Sequence, residues 1–466
     1  MNTHSLRHKK VLVMGLGRFG GGVDVVKFAC SVGAQVIVTD LAKREALAES
    51  IAQLKGLDVT YHLGSHEPAD FEQADMVVVN PAVPLDNKFV QIARRAGRRI
   101  TSQIELFFEL CPATVIGITG ANGKSTTTAL TAHLLRSRFG NKVWLSGNIG
   151  NEPMLTVVGQ IKPDDLVVLE LSSFQIEQLA QSKQAPQVAV LTNLTPNHLD
   201  RYGTFERYCA AKELIFQYQK LDEKQPAVSI FNGEDKVGCE WFDKYKKDAG
   251  RLCIKFSPDG VPAGIHKVFG LPGRANLSNL AAALTVVRYF GVTDEQVIAC
   301  LPQFKALLHR LQFVAEIKGV RWYNDSKATT PDSAIVALEA FDNPIIIIAG
   351  GYDKHIPFDE LGQKIAQRAK AAILIGQTAQ AIAKTIRVQT QNRAWHGLPA
   401  RENTAKMAVP QVKFAKSLAE AVELANALAG RGDVVILSPA CASYDMFENY
   451  EQRGQQFIDL ISALTR

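Results

Sequence analysis

The sequence predicts a three-domain α/β protein in which each domain carries a mainly parallel sheet with helices on both faces. Short apolar runs alternate with amphipathic stretches along nearly the whole chain, as βαβ units require. The pattern begins afresh at "ATVIGITGANGKSTTTALTAHLLRS" and again at "GVRWYNDSKATTPDSAIVALEAF". The chain of 466 residues also exceeds what one core accommodates, since domains usually span roughly 100 to 200 residues. Boundaries are expected near 102 and 306, giving domains 1–102, 103–306 and 307–466.

The first domain opens with the strand "KVLVMG", the helix "GVDVVKFACSVG" and the strands "QVIVTD" and "ADMVVVNPAV". Between the first strand and helix lies "GLGRFGGG", whose Gly15, Gly17 and Gly20 match G-x-G-x-x-G. Asp40 closes the next strand, where a dinucleotide enzyme would place its ribose carboxylate. Taken alone, this pattern admits an NAD-linked dehydrogenase.

The second domain contains a second phosphate loop. "GITGANGKSTTT" follows an apolar strand and opens a helix, so the amides of Gly120, Ala121, Asn122, Gly123 and the first helical residues through Thr126 would hold phosphates. Lys124 would reach the β and γ oxygens, and Ser125 would face Mg²⁺. Ile118 stands where the first glycine of the usual G-x-x-x-x-G-K-[ST] pattern would be. Glu170 ends the strand "DLVVLE" as a candidate metal carboxylate. His198 follows the strand "QVAVLTNL", and Lys212 lies on the next helix. In a doubly wound sheet these strand ends form the site. A P-loop NTPase acting as a switch or motor therefore also stands open.

The last third repeats the βα unit, with "PIIIIAGG", "AAILIG" and "DVVILSPA" as buried strands. The helices are expected to be "FDELGQKIAQRAKA", "SLAEAVELANALA" and "YEQRGQQFIDLISALT".

Composition narrows the function classes. Hydrophobic residues make up 47% and charged residues 21%, which supplies ample core and excludes extended disorder. A net charge of +6 fits anionic small molecules. The one dense basic run, "ARRAGRR", lacks interleaved aromatics and reads as a solvated helix end, so no nucleic-acid partner is expected. The seven cysteines are scattered without C-x-x-C spacing, which points to reduced thiols and no zinc site. No apolar stretch reaches the roughly 18 residues of a membrane span, and the basic N-terminus precedes only "VLVMGLG", too interrupted for a signal peptide. The expected location is the cytoplasm.

Taken together, "TGANGKST", "LELSSFQ", "TNLTPNHLDRY", "YCAAK", "NLSNLAAAL", "LLHRLQ", "NDSKAT" and "SPACASYDMFENYEQRG" resemble the Mur ligases, the ATP-dependent amide-forming enzymes of peptidoglycan synthesis. Within that family, "DSKAT" and "SPACASYDMF" are similar to the branch that adds D-glutamate. The resemblance implies a Rossmann-like N-terminal domain, a central P-loop ATPase domain with a doubly wound, mainly parallel sheet, and a Rossmann-like C-terminal domain.

It also implies a mechanism. The carboxylate of UDP-N-acetylmuramoyl-L-alanine attacks the γ-phosphate of ATP, and the amine of D-glutamate displaces phosphate from the resulting acyl phosphate as the third domain closes over the other two. The first loop then cradles the diphosphate of UDP rather than NAD, through Gly15, Leu16, Gly17, Arg18, Phe19 and Gly20, with Asp40 facing the uracil and with Asn80 and Asn148 positioning the rest of the substrate. Two Mg²⁺ ions are implied, the first on Ser125 and Glu170 and the second on His198, with Lys212 carbamylated. Lys124, His198 and Lys212 are the implied catalytic residues. Asn276, Arg310 and Asp325 are assigned to ATP. Lys327, Thr329, Lys354, Ser443 and the backbone near Tyr450 are assigned to the amino acid. The chain is expected to act as a monomer. It departs from the family pattern at Phe19, at Asn80-Pro81-Ala82, and at Asn197, Ala275 and Thr330.

Overall fold

The computed structural model describes residues 6–18, 20–84, 86–149, 153–396 and 409–465. Its seventeen strands form three sheets. The first contains β1 (Lys10–Met14), β2 (Gln35–Asp40), β3 (Val59–Leu63), β4 (Met76–Val79) and β5 (Arg99–Thr101), in the order β3-β2-β1-β4-β5. All its pairings are parallel. The strand order reverses between β1 and β4, which opens the crevice where ligands of such sheets bind.

The second sheet contains β6 (Thr114–Thr119), β7 (Val143–Gly147), β8 (Leu166–Glu170), β9 (Val188–Leu191), β10 (Ala227–Asn232) and β11 (Arg251–Phe256). Its order is β11-β10-β9-β6-β8-β7, again wholly parallel. β8, β9 and β10 are buried along their whole lengths, as parallel strands covered on both faces must be.

The third sheet contains β12 (Gln312–Ile317), β13 (Val320–Asn324), β14 (Ile345–Ala349), β15 (Ala369–Leu374), β16 (Gln411–Phe414) and β17 (Val434–Leu437), in the order β12-β13-β17-β14-β15-β16. It is mixed, because β12 and β13 form an antiparallel hairpin through a tight turn at Lys318 and Gly319, both with positive φ. The helix expected over 358–371 ends at Arg368, since Ala369–Leu374 pairs in parallel with β14.

Two compact units result: Met1–Ile265 with Asn279–Leu301, and His266–Ser278 with Pro302–Arg466. In the first unit one apolar core runs from Val11, Val13 and Val38 of the first sheet to Val167, Leu169 and Leu191 of the second. In the second unit two cores flank the third sheet, with Ile345, Ile347 and Ile436 on one face and Ile346, Ile348 and Leu437 on the other. No helix among the described residues is long and apolar enough to cross a membrane.

Candidate active site

In the first unit, the loop after β6 passes through Gly120 (φ +152°) and Gly123 (φ +80°) into the helix Lys124–Phe139. Its shape is set by the end of β9. Ala121 N–H donates to Asn193 O at 2.8 Å, Asn122 N–H to Asn193 Oδ1 at 2.9 Å, and Thr192 Oγ1 to Asn122 O at 2.6 Å. A Cβ on Gly120 would lie 2.0 Å from Thr192 Oγ1, so only glycine fits. Gly123 precedes the helix without a side-chain cap, and a helix N-terminus of this kind suits an anion. Lys124 Nζ donates to Gly120 O and Ala121 O at 3.1 and 2.8 Å. Ser125 and Thr126 are buried in the first turn.

Beside this loop, Glu170 is only 2% exposed. Its Oε1 accepts from Asn148 Nδ2 at 3.1 Å, and its backbone carbonyl accepts from Asn148 N–H at 2.9 Å. Its Oε2 is buried without a hydrogen-bond partner among the described residues. A buried carboxylate oxygen left bare is costly, whereas Mg²⁺ takes oxygen donors of this kind, with water and phosphate completing its shell. The residues therefore fit a magnesium ion at Glu170 and Ser125. Among the described residues no group of three or more His, Cys, Asp or Glu could hold a metal, so protein carboxylates and imidazoles alone would not complete a shell.

Lys212 lies on the helix Phe205–Gln217 and is 1% exposed. Its Nζ donates to Thr119 Oγ1 at 3.0 Å, and Thr119 Oγ1 in turn donates to Leu171 O at 2.8 Å. Burial, and then the positive charge of Lys124, hold the Lys212 ammonium well below its ordinary pKa, with Glu170 opposing. Burial thus disfavours the charged form of this amine. His198 takes the left-handed conformation (φ 52°, ψ 35°) ahead of the short helix Leu199–Tyr202. Its ring rests 5.1 Å from Phe174 and 6.3 Å from Tyr208. Burial and then Lys212 lower its pKa, leaving a neutral imidazole able to bind a metal.

The first glycine loop lies at the switch between β1 and β4. Asp40 accepts from Gly17 N–H at 3.2 Å and from Ala42 N–H at 2.8 Å, so its carboxylate braces the loop. Asn80 Nδ2 donates to Gly15 O at 3.2 Å, and a Cβ on Gly15 would meet Asn80 Cβ at 2.8 Å. Leu16 is buried and contributes backbone only, while Arg18 is exposed and Gly20 precedes the helix Gly21–Ser31. Phe19 lies outside the described residues.

In the second unit, Asp325 and Lys327 follow β13, Lys354 follows β14 and Ser443 follows β17. Asp325 is buried, accepting from Ser438 Oγ at 2.8 Å and Leu311 N–H at 3.1 Å. Burial pushes its pKa up to about 7. Arg310 is among the charges that oppose the shift. Asn276 starts the helix Arg274–Tyr289, with Nδ2 on Pro272 O at 2.7 Å. Lys327 Nζ sits 5.4 Å from the Tyr450 ring centroid, and Tyr450 O accepts from Ser326 Oγ at 2.8 Å. Thr329 is half-buried, Ser443 is buried and Lys354 is exposed.

Several organising residues lie within the quoted motifs, but no role for them was legible in the sequence. Thr192 and Asn193 shape the second loop, and Thr119 holds Lys212. Arg453, almost fully buried, donates to Ser326 Oγ, Ser326 O and Cys441 O at 2.9, 2.8 and 3.2 Å. It thereby ties "DSKAT" to "SPACAS". Its burial and bonds were not legible from its place in the latter motif.

Three family descriptions match successive parts of the chain: "Mur ligase MurD-like, N-terminal domain" over residues 9–102, "Mur ligase middle domain" over 118–268, and "Mur ligase, glutamate ligase domain" over 309–441. Similar proteins named UDP-N-acetylmuramoylalanine--D-glutamate ligase include one from Roseiflexus sp., 37% identical over 99% of this chain and 100% of its own length. Another, from Geotalea uraniireducens, is 38% identical over 98% of both chains. Among solved structures, MurF ligase from Thermotoga maritima in complex with ADP superposes with a TM-score of 0.58 at 18% identity, covering 99% of this chain and 97% of its own. UDP-N-acetylmuramate-alanine ligase MurC from the same organism gives 0.56 at 18% identity over 98% and 100%. These two structural likenesses speak to the fold.

Proposed function

The chain belongs to the Mur ligase family, and from that premise we propose how its residues carry out the family's reaction. It is an ATP-dependent ligase that adds D-glutamate to UDP-N-acetylmuramoyl-L-alanine in peptidoglycan precursor synthesis, passing through an acyl phosphate and releasing ADP and phosphate. The observation that carries the residue assignments is the second loop standing beside a bare Glu170 oxygen and a buried Lys212.

A carboxylate and a γ-phosphate repel each other, so the site must concentrate positive charge. Lys124 and the backbone from Gly120 through Thr126, apart from the Ala121 and Asn122 amides that Asn193 holds, supply the protein's share. Two Mg²⁺ ions, one on Ser125 and Glu170 and one on His198 and modified Lys212, would neutralise the charge that develops on the phosphates. The buried Lys212 amine, its pKa lowered by burial, suits carbamylation: its lone pair bonds to the carbon of CO₂, a proton leaves the nitrogen, and the side chain ends in an anion suited to a cation. Asn276, Arg310 and Asp325 are assigned to the nucleotide.

The first loop, from Gly15 through Gly20 with Asp40, takes the uridine diphosphate, and Asn80 and Asn148 position the remainder of that substrate. Lys327, Thr329, Lys354, Ser443 and the Tyr450 backbone are assigned to D-glutamate, whose two carboxylates need separated donors. We assign the three functions to residues 1–102, 103–306 and 307–466, and propose a cytoplasmic monomer. The reading is tested by phosphate release: it requires ATP, the UDP sugar and D-glutamate together, and release with any one omitted contradicts ligation.

A further inference from the structure

Asp24 lies in the first turn of the helix that follows the first glycine loop, and it is 6% exposed. Its carboxylate does not cap its own helix. Oδ2 accepts from Gln103 Nε2 at 2.7 Å, Met154 N–H at 3.0 Å and Leu155 N–H at 2.8 Å. Oδ1 accepts from Thr156 N–H at 3.0 Å and Thr156 Oγ1 at 2.8 Å. A carboxylate holding three successive backbone amides and two side-chain donors fixes both partners firmly, because charge-assisted hydrogen bonds are short and strong.

The segment it holds leads back to the reaction centre. Pro153 O accepts from Ser146 Oγ at the end of β7, at 3.0 Å. Two residues beyond Ser146, Asn148 is bonded to Glu170 through both its backbone and its side chain. One side of the Asp24 knot is therefore the diphosphate cradle, and the other is the strand end carrying Glu170. We propose that Asp24 is a positioning residue that sets the separation between these two sites, and so selects a substrate long enough to span them. This inference rests on the reading of the first loop as the UDP-sugar site.

Such a role has a signature that general destabilisation lacks. Free UDP engages only the cradle, while UDP-N-acetylmuramoyl-L-alanine must reach both ends. Asp24→Asn keeps the shape but turns an acceptor into a donor facing backbone N–H groups. Calorimetric titration of the full-length variant should show binding of the complete UDP sugar weakened tenfold or more, with UDP and ADP binding within twofold of wild type. Equal weakening of UDP and the UDP sugar, or no weakening of either, would overturn the proposal. Should Asp24→Asn not fold, Thr156→Val removes one donor and should show the same split at a smaller size, about threefold. Its absence there overturns the proposal as well. A wild-type protein that binds neither uridine ligand would instead refute the reading of the first loop, and the positioning role with it.

Discussion

Lys212 Nζ and Thr119 Oγ1 lie 3.0 Å apart, joining the helix after β9 to the end of the strand that opens the second phosphate loop. The amine is buried, and burial lowers its pKa, with Lys124 lowering it further and Glu170 opposing.

The proposed mechanism calls for an anion at this position, and a lysine would supply it only after reacting with CO₂. Lys212→Ala should be inactive, and short carboxylates such as acetate or formate should restore part of the activity. An absence of rescue, combined with an unmodified lysine by intact mass in bicarbonate, would count against carbamylation.

Lys124→Ala removes the charge assigned to the transferring phosphoryl group, where such contacts contribute on the order of 3 kcal/mol. Turnover should fall at least about a hundredfold, with the unfolding transition little changed. Near-normal turnover in a folded variant would remove the loop from the mechanism.

Asp325 offers a test by pH. Its folded-state pKa of about 7 lies above the ordinary value of 3.8, so between these values the folded state holds a proton that the unfolded state has lost. Wild-type stability therefore declines as pH rises through that window. Asn in its place can still accept from Leu311 N–H and can donate to Ser438 Oγ. Thermal melts should show Asp325→Asn gaining on wild type between pH 5 and pH 8; a constant difference would mean that the carboxyl does not titrate there.

Lys354 is exposed, so its assigned contact with a substrate carboxylate can be removed without disturbing the core. Loss of a charge-assisted hydrogen bond, roughly 1.5 to 3 kcal/mol, should weaken D-glutamate use about tenfold to a few hundredfold in Lys354→Ala. Constants for ATP and the UDP sugar should hardly move. L-Glutamate cannot place both carboxylates and the amine together and should be a very poor substrate. Unaltered D-glutamate kinetics would free Lys354 from this role.

For the first loop, UDP-N-acetylmuramoyl-L-alanine at a hundred times its Kd should stabilise the protein by about 2.7 kcal/mol. NAD should leave the melting temperature unchanged, and a shift with NAD alone would restore the dehydrogenase reading.

Much of this architecture was legible because fully buried parallel strands such as Leu166–Glu170 and Ile345–Ala349 write themselves as unbroken apolar runs. The first glycine loop announced itself by its spacing and the second by its strand, its helix and "GKST", while Glu170 and Lys212 were singled out by their places relative to strands. What stayed hidden has physical reasons. Gln411–Phe414 is a short, largely exposed strand on a sheet edge, with no apolar run to betray it. Gln312–Ile317 joins an otherwise parallel sheet through an antiparallel hairpin that the βα rhythm did not suggest. The Asp24 knot draws donors from positions 103 and 154–156, and bonds so distant in sequence leave no local pattern.

The central claim is that this chain activates a carboxylate by phosphorylating it, and isotope transfer tests that most directly. UDP-N-acetylmuramoyl-L-alanine bearing heavy oxygen in its alanyl carboxylate is incubated with ATP, Mg²⁺ and D-glutamate, and the released phosphate is weighed by mass spectrometry. Attack of that carboxylate on the γ-phosphate, followed by displacement by the amine, leaves one labelled oxygen in each phosphate released. Phosphate carrying no label would mean that water, not the substrate carboxylate, attacks ATP, and would contradict the account.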